Sequence, residues 1–320
     1  MKLSEIYELF IKKGIEADPR GRKEVEKNLK KLKGKYNKLD KKEKEEFDKE
    51  KLTNPFSDTR ILYGDPKKEV KSVFVGIDME VGEILLADRL NEKGEKIDIV
   101  MTHHPEGKAL AGLDEVMHVQ ADVMHKYGVP INVAEGVMTG RITEISRAVA
   151  PANHDRAVDA ARLLDIPFMC AHTVGDNMVY DFLERLIEKK KPETLGEVVD
   201  ILKEIPEYKE AIKVGAGPRL FMGSSDKRAG KIAITGMTGG TEGAVEAYEK
   251  MAQAGIGTVI DMHMSEEHKK KAEKYHINVV IAGHIASDSL GMNLLLDEIE
   301  KKGVKVIPVS GLTRVKRFKK

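Results

Sequence analysis

Three short stretches of this chain place metal-binding side chain types directly after apolar runs. The first is Ile97-Asp98-Ile99-Val100-Met101-Thr102-His103-His104-Pro105, a strand-like run that ends in two adjacent imidazoles and a proline. Inside a regular strand, neighbouring side chains point to opposite faces. At a strand end a turn can bring both rings to one point, and Pro105 stops the strand there. The second is Cys170-Ala171-His172-Thr173-Val174-Gly175-Asp176, where Gly175 would let the backbone bend so that the carboxylate faces the same pocket. Asp176 is equally readable as the cap of a following helix. The third is Val279-Val280-Ile281-Ala282-Gly283-His284-Ile285-Ala286-Ser287-Asp288. If a helix begins at His284, then His284 and Asp288 share one face, a turn apart. If it begins later, Ser287 or Asp288 is its cap. Each stretch alone has such an ordinary structural reading. Together, His103, His104, His284, Asp176 and Asp288 form a suitable ligand set for two divalent ions, since a carboxylate can bridge a pair about 3.5–4 Å apart.

These residues need a frame that brings strand ends together. From about residue 70 the pattern alternates strand and helix. Strands are expected at Val70–Ile77, Ile97–Met101, Pro130–Val133, Pro167–Ala171, Lys231–Thr235, Thr258–Met262, Asn278–Ala282 and Val304–Val309. Helical stretches separate most of them, notably 81–93, 121–127, 144–164, 178–189, 195–204, 244–253, 266–274 and 290–301. That rhythm predicts an α/β fold: two α/β lobes with largely parallel sheets flanked by helices. Open sheets of this kind hold ligands at the carboxyl ends of their strands. The division expected is a helical N-terminal extension at 1–54, a first lobe at 55–180 carrying the double histidine, a connecting region at 181–230, and a second α/β segment at 231–320, with both lobes sharing one metal site. In the extension, Asp18-Pro19 reads as a helix N-cap with proline at N1, and Asp40-Lys41-Lys42-Glu43 as a capping box.

Composition bounds the partners. The chain has 320 residues, 41% hydrophobic and 33% charged, with a net charge of +1. Nothing in that balance calls for nucleic acid or a membrane surface. The basic run Arg314–Lys320 reads as a solvated tail. The single cysteine, Cys170, excludes an intrachain disulfide and reads as a buried strand residue. With no signal-like or membrane-length apolar run, a cytoplasmic location is expected.

The same residues carry a resemblance. Asp65–Asp78 is similar to the opening strand of the Nif-three-like dinuclear metal-centre family, also called GTP cyclohydrolase I type 2-like. His103-His104-Pro105 resembles its double-histidine motif, His172-Thr173-Val174-Gly175-Asp176 its His-Thr-Asn-Leu-Asp motif, and Gly283–Asp288 its Gly-His-x-x-x-Glu motif. The similarity runs over roughly residues 58 to 313. It implies that His103, His104, Asp176, His284 and Asp288 hold the metals, with Asp288 bridging. It also implies ring-like homohexamers and metal-dependent hydrolysis. There are departures: Asp288 replaces the usual Glu, His263 replaces the Glu of a Thr-Gly-Glu motif, and Phe56 lies near where a tryptophan is common. Residues 1–54 have no counterpart.

The resulting expectation is a homo-oligomeric metal-dependent hydrolase with two divalent ions (Zn, Fe, Mn, Co or Ni) and a small-molecule substrate, a nucleotide or other phosphorylated compound. Ligands cannot also serve as free bases, so Glu106, His172 and His263 are the candidates for proton transfer. The loop Gly236-Met237-Thr238-Gly239-Gly240-Thr241-Glu242-Gly243 either touches substrate, with an anion at the following helix N-terminus, or is a plain tight turn. His118, His125, His154, His268 and His276 read as surface or structural. A non-catalytic metal-holding adaptor is the main alternative, and a nucleotide-binding module using only the Gly-rich loop is a third.

Overall fold

The computed structural model describes residues 1–318. Among these residues, nine strands form two sheets. The first contains β1 (Thr59–Tyr63), β2 (Ser72–Gly76), β3 (Ile99–Thr102), β4 (Phe168–Ala171) and β9 (Lys305–Pro308), in the order β1-β4-β3-β2-β9. The second contains β5 (Arg219–Met222), β6 (Lys231–Gly236), β7 (Ile256–Asp261) and β8 (Asn278–Ile281), in the order β5-β8-β7-β6. Within each sheet the pairs are parallel except at one edge, where β1 runs antiparallel to β4 and β5 antiparallel to β8. The expected α/β fold with largely parallel, helix-covered sheets is therefore present. The strands β2, β3 and β4 are buried along their whole length, which explains their unbroken apolar sequences.

Two helices, Thr173–Lys190 and His284–Glu300, follow β4 and β8 and pack on each other between the sheets. Glycine permits their close crossing. A Cβ at Gly291 would stand 2.3 Å from the Gly175 carbonyl oxygen, and one at Gly175 would press on the His103 ring at 3.2 Å. Gly175 therefore does not bend the chain, as its sequence context suggests. It lies inside a regular helix, and its missing side chain makes room for His103 and the neighbouring backbone. Gly283 makes the turn from β8 into its helix at φ 109, a conformation open to glycine.

Several local expectations are corrected. Residues 131–133 are the start of a helix, Ile131–Val149, with Pro130 ahead of its first turn, not a strand. Asp18 does not cap a helix. The helix starts at Arg22, and the buried Asp18 accepts from the backbone N–H and guanidinium of Arg20. The capping box at Asp40 and Glu43 is formed. Both antiparallel edge strands were absent from the strand expectations. The sheets also cut the sequence differently from the expected segments: β5 comes from within 181–230, and β9, from within 231–320, returns to the first sheet. The described part of the C-terminal basic run, up to residue 318, is not a solvated tail. Arg314 pairs with Asp297 and Glu300 at 2.5 and 2.6 Å, and Arg317 forks onto the buried Glu207 at 2.6 and 2.5 Å. Lys319 and Lys320 lie outside the described residues.

Candidate metal centre

Both histidines after β3 leave the strand before they reach the centre. The N–H of His103 donates to the Gly76 carbonyl and that of His104 to the Ile77 carbonyl, which pins the turn to the end of β2. Their rings lie 5.4 Å apart. His172 stands at the N-terminal boundary of its helix, and Asp176 lies one turn further on the same face. The helix after β8 begins at His284, so His284 and Asp288 do share a face. All five expected ligands, and His172 with them, therefore converge from three strand ends.

Each imidazole turns Nε2 inward. His103 Nε2 lies 3.4 Å from Asp176 Oδ1 and 3.6 Å from Asp288 Oδ1. Nε2 of His104 and Nε2 of His284 are each 3.5 Å from Asp288 Oδ2. His172 Nε2 is 3.8 Å from Asp176 Oδ2. For three of the rings the opposite nitrogen is already engaged. His103 Nδ1 meets the Ala171 carbonyl at 3.1 Å, His104 Nδ1 meets Asp78 at 2.6 Å, and His172 Nδ1 meets Asp58 at 2.9 Å. A carbonyl or carboxylate at Nδ1 fixes the proton there in the neutral ring, so the Nε2 lone pair faces the cluster. Lone pairs then face carboxylate oxygens across gaps too long for good hydrogen bonds. His103 Nε2 and both carboxylate oxygens of Asp288 are buried without a hydrogen-bond partner. Such orphaned atoms are costly unless a cation or proton lies among them. The donor set of neutral imidazoles and carboxylates fits a first-row divalent ion. Two compact groups satisfy that need, His103 with His104 and Asp288, and His103 with His172 and Asp176.

The electrostatics agree. Burial opposes charge on His103, but Asp288 and then Asp176 outweigh it and carry its pKa up to about 10. His104 is also raised against burial, chiefly by Asp288. Asp288 is held well below the usual carboxylate range, because His103 and its neighbours overcome the burial penalty. His284 is lowered by burial, partly offset by Asp288. The cluster thus attracts positive charge strongly.

The three proton-transfer candidates separate. His172 is itself part of the inward-facing donor set. His263 follows β7, lines the cavity and packs its ring 4.7 Å from that of His284. Glu106 does not line the cavity. It lies on the Asp78 and Glu80 side, and burial followed by Glu80 pushes its pKa up to about 7. Cys170 is buried, and burial raises its thiol well above the ordinary value. The Gly-rich loop does line the cavity, yet the next helix begins only at Ala247 and has seven residues, so no helix end faces an anion there. Of the five histidines read as surface or structural, His268 is buried and lines the same cavity.

Two orienting residues were missed. Asp78 follows β2 at the edge where His103 leaves β3, and that shared edge was a usable signal. Asp58 precedes β1. It reaches the site because β1 is antiparallel, so its start lies beside the ends of its neighbours. Asp58 also accepts from the Thr173 hydroxyl at 2.6 Å, which anchors the start of the helix that carries Asp176.

Fold and site together define an α/β protein whose two sheets deliver imidazoles and carboxylates to one buried cation-seeking cluster. No protein-family model and no curated protein matches the chain. Among solved structures it is similar to a NIF3 superfamily protein from Sphaerobacter thermophilus, at 29% identity and a TM-score of 0.70, over 80% of this chain and 92% of that one. Reduced HcgD from Methanocaldococcus jannaschii aligns at 18% identity and TM-score 0.48, covering 79% and 93%. A Bacillus cereus protein related to NIF3 aligns at 12% and 0.44, covering 82% and 92%. The chain is a Nif-three-like protein.

Proposed function

We propose that the chain is a dinuclear metal-dependent hydrolase acting on a nucleotide or other phosphorylated small molecule. The observation that carries this reading is the ring of four inward Nε2 atoms around two buried carboxylates. An imidazole nitrogen has one lone pair and serves one ion, whereas a carboxylate has two oxygens. Asp288 turns Oδ1 to His103 and Oδ2 to His104 and His284, which suits it to stand between two positions. Asp176 and His172 complete the His103 side. His172 is therefore better assigned as a ligand than as the free proton carrier expected from sequence.

Divalent ions so held would supply Lewis acidity toward the bond under attack. The residues around them do the rest. Asp58 and Asp78 hold the His172 and His104 rings in place. His263, on the cavity wall beside His284, is placed to move a proton. Glu106, with its pKa near neutrality, is placed to buffer one on the opposite side of His104. Assembly into a homohexamer is part of this proposal. Val81 and Leu85, four residues apart on the helix Val81–Glu92, are exposed together with Leu86, an apolar face suited to a second copy.

The test is hydrolysis of a panel of nucleotides and phosphoesters with added manganese, zinc or iron. His103→Ala and Asp176→Ala should abolish turnover with assembly intact. Metal uptake without turnover of any compound would instead assign a metal-holding adaptor, and nucleotide affinity that survives chelation would assign a module built on the Gly-rich loop alone.

A further inference from the structure

The cavity that opens on the imidazole–carboxylate cluster is also lined by the Gly236–Gly243 loop, and its inner part, the part away from the cluster, differs in character. There the walls are Met124, Met138, Met251 and Tyr248, each buried. The cavity encloses about 100 Å³. A hole of that volume is large enough to take a small ring. Unbranched thioether side chains adapt to a flat occupant and make favourable contacts with aromatic rings.

The polar side chains of this part include Gln120, Tyr248, His268 and the carboxylate of Glu242. His268 is buried, with Nδ1 3.4 Å from the Tyr248 hydroxyl and Nε2 3.6 Å from Glu242 Oε2, both long contacts. Glu242 Oε1 already accepts from the Ser265 N–H at 2.7 Å, which leaves Oε2 to receive a donor. Among the described residues no Lys or Arg lines the cavity, whereas Glu242 and Asp261 do, in addition to Asp176 and Asp288 on the metal side. The guanidinium of Arg141 donates to the Glu242 carbonyl at 3.1 Å and lines a neighbouring pocket that Glu242 and His268 also border, not this cavity. A phosphate pushed inward would lose its water and meet carboxylates instead of cations, which is strongly unfavourable.

We infer that the inner cavity receives a flat, uncharged nitrogen heterocycle that offers an N–H donor to Glu242, while any phosphate on the same compound stays outside, on the metal side. This inference rests on the metal-dependent reading above and narrows its substrate to compounds carrying such a ring.

The experiment uses the full chain carrying methyl-labelled methionine, with and without zinc. It is titrated with 2-aminopyridine, above that probe's own pKa, and separately with inorganic phosphate. The Met124, Met138 and Met251 methyl signals should shift with 2-aminopyridine and not with phosphate. Met138→Phe fills the cavity and should weaken 2-aminopyridine by at least about tenfold. Met138→Ala enlarges it and should admit 2-aminoquinoline, which the unaltered chain excludes, so the idea stays testable if the Phe variant does not fold. Glu242→Gln should weaken 2-aminopyridine by about tenfold, because a charge-assisted hydrogen bond is lost. Unmoved methyl signals with 2-aminopyridine, or the same three signals moving with phosphate, would overturn the inference. Zinc uptake on the same samples separates the two claims. Uptake without methyl shifts ends this inference alone, and methyl shifts without uptake end the metal reading while the ring site stands.

Discussion

The nitrogen that each imidazole keeps for the metal is decided by what its other nitrogen touches. Asp58 and Asp78 set that choice for His172 and His104, so they should matter without being ligands. Asp58→Asn and Asp78→Asn should each lower metal affinity by about 10–100-fold, measured by competition with a chromophoric chelator. Unchanged affinity would mean that the rings are held by packing alone. Glu106 gives a prediction of the opposite kind. Its folded pKa is raised to about 7 from the ordinary 4.5. Over that window the folded chain keeps a proton that the unfolded chain has released, so this group withdraws stability as pH rises through it. Glu106→Gln should therefore be more stable than the parent at pH values above about 7 and lose that advantage below about 4.5, read by urea denaturation across pH. At this scale the five ligand candidates were legible because each follows an apolar run. Asp58 was not, because its place depends on the direction of β1, which nothing local in the sequence fixes. His268 looked like one more histidine in a charged helix. Only folding shows that its helix turns that residue inward.

The elements that make the site are two crossing helices, and their separation is set by absent side chains. Gly291→Ala would place a methyl against the Gly175 carbonyl and the Val179 side chain. It should cost about 1–3 kcal/mol of stability by overpacking and weaken metal binding with it, because Asp176 and Asp288 ride on the separated helices. Gly136→Ala is the matched control. Nothing lies within 4 Å of a Cβ there, within the helix Ile131–Val149, so it should be neutral or stabilise by about 0.5–1 kcal/mol. Chemical denaturation of both variants, with and without metal, checks the pair. The central parallel strands β2, β3 and β4 were readable from the sequence because burial on both faces gives unbroken apolar runs, and the other parallel strands because they alternate with helices. Strands β1 and β5 were not, since each carries an arginine among its apolar residues and runs into the next strand with no helix between, outside the strand–helix alternation. Pro130-Ile131-Asn132-Val133 looked like a strand for its β-branched residues, yet proline suits the entry to a helix just as well, and packing of Ala134 and Met138 against the apolar residues of the second sheet decided the matter.

Across the whole molecule, the N-terminal extension and the C-terminal run as far as Arg317 are tied into the body that carries the metal centre. The N-terminal extension packs Leu3, Ile6 and Phe10 against Val73, Val75 and Ile99 of the first sheet, and the Gly14 carbonyl accepts from Asn177, next to Asp176. The C-terminal run closes with Arg317 on Glu207, which is 1% exposed. Arg317→Ala leaves that carboxylate with only the Asn293 amide, and should cost about 3 kcal/mol in a denaturation experiment. The sequence showed the charge of this run but not its partner, which is 110 residues away. The account as a whole stands on cations at the converging Nε2 atoms. Anomalous scattering from crystals of the zinc- or manganese-loaded protein tests that most directly. Two peaks about 3.5–4 Å apart, flanking Asp288 and bounded by His103, His104, His172, His284 and Asp176, are the predicted result. Crystals of the loaded protein with no peak within bonding reach of His103 Nε2 and Asp288 would contradict it.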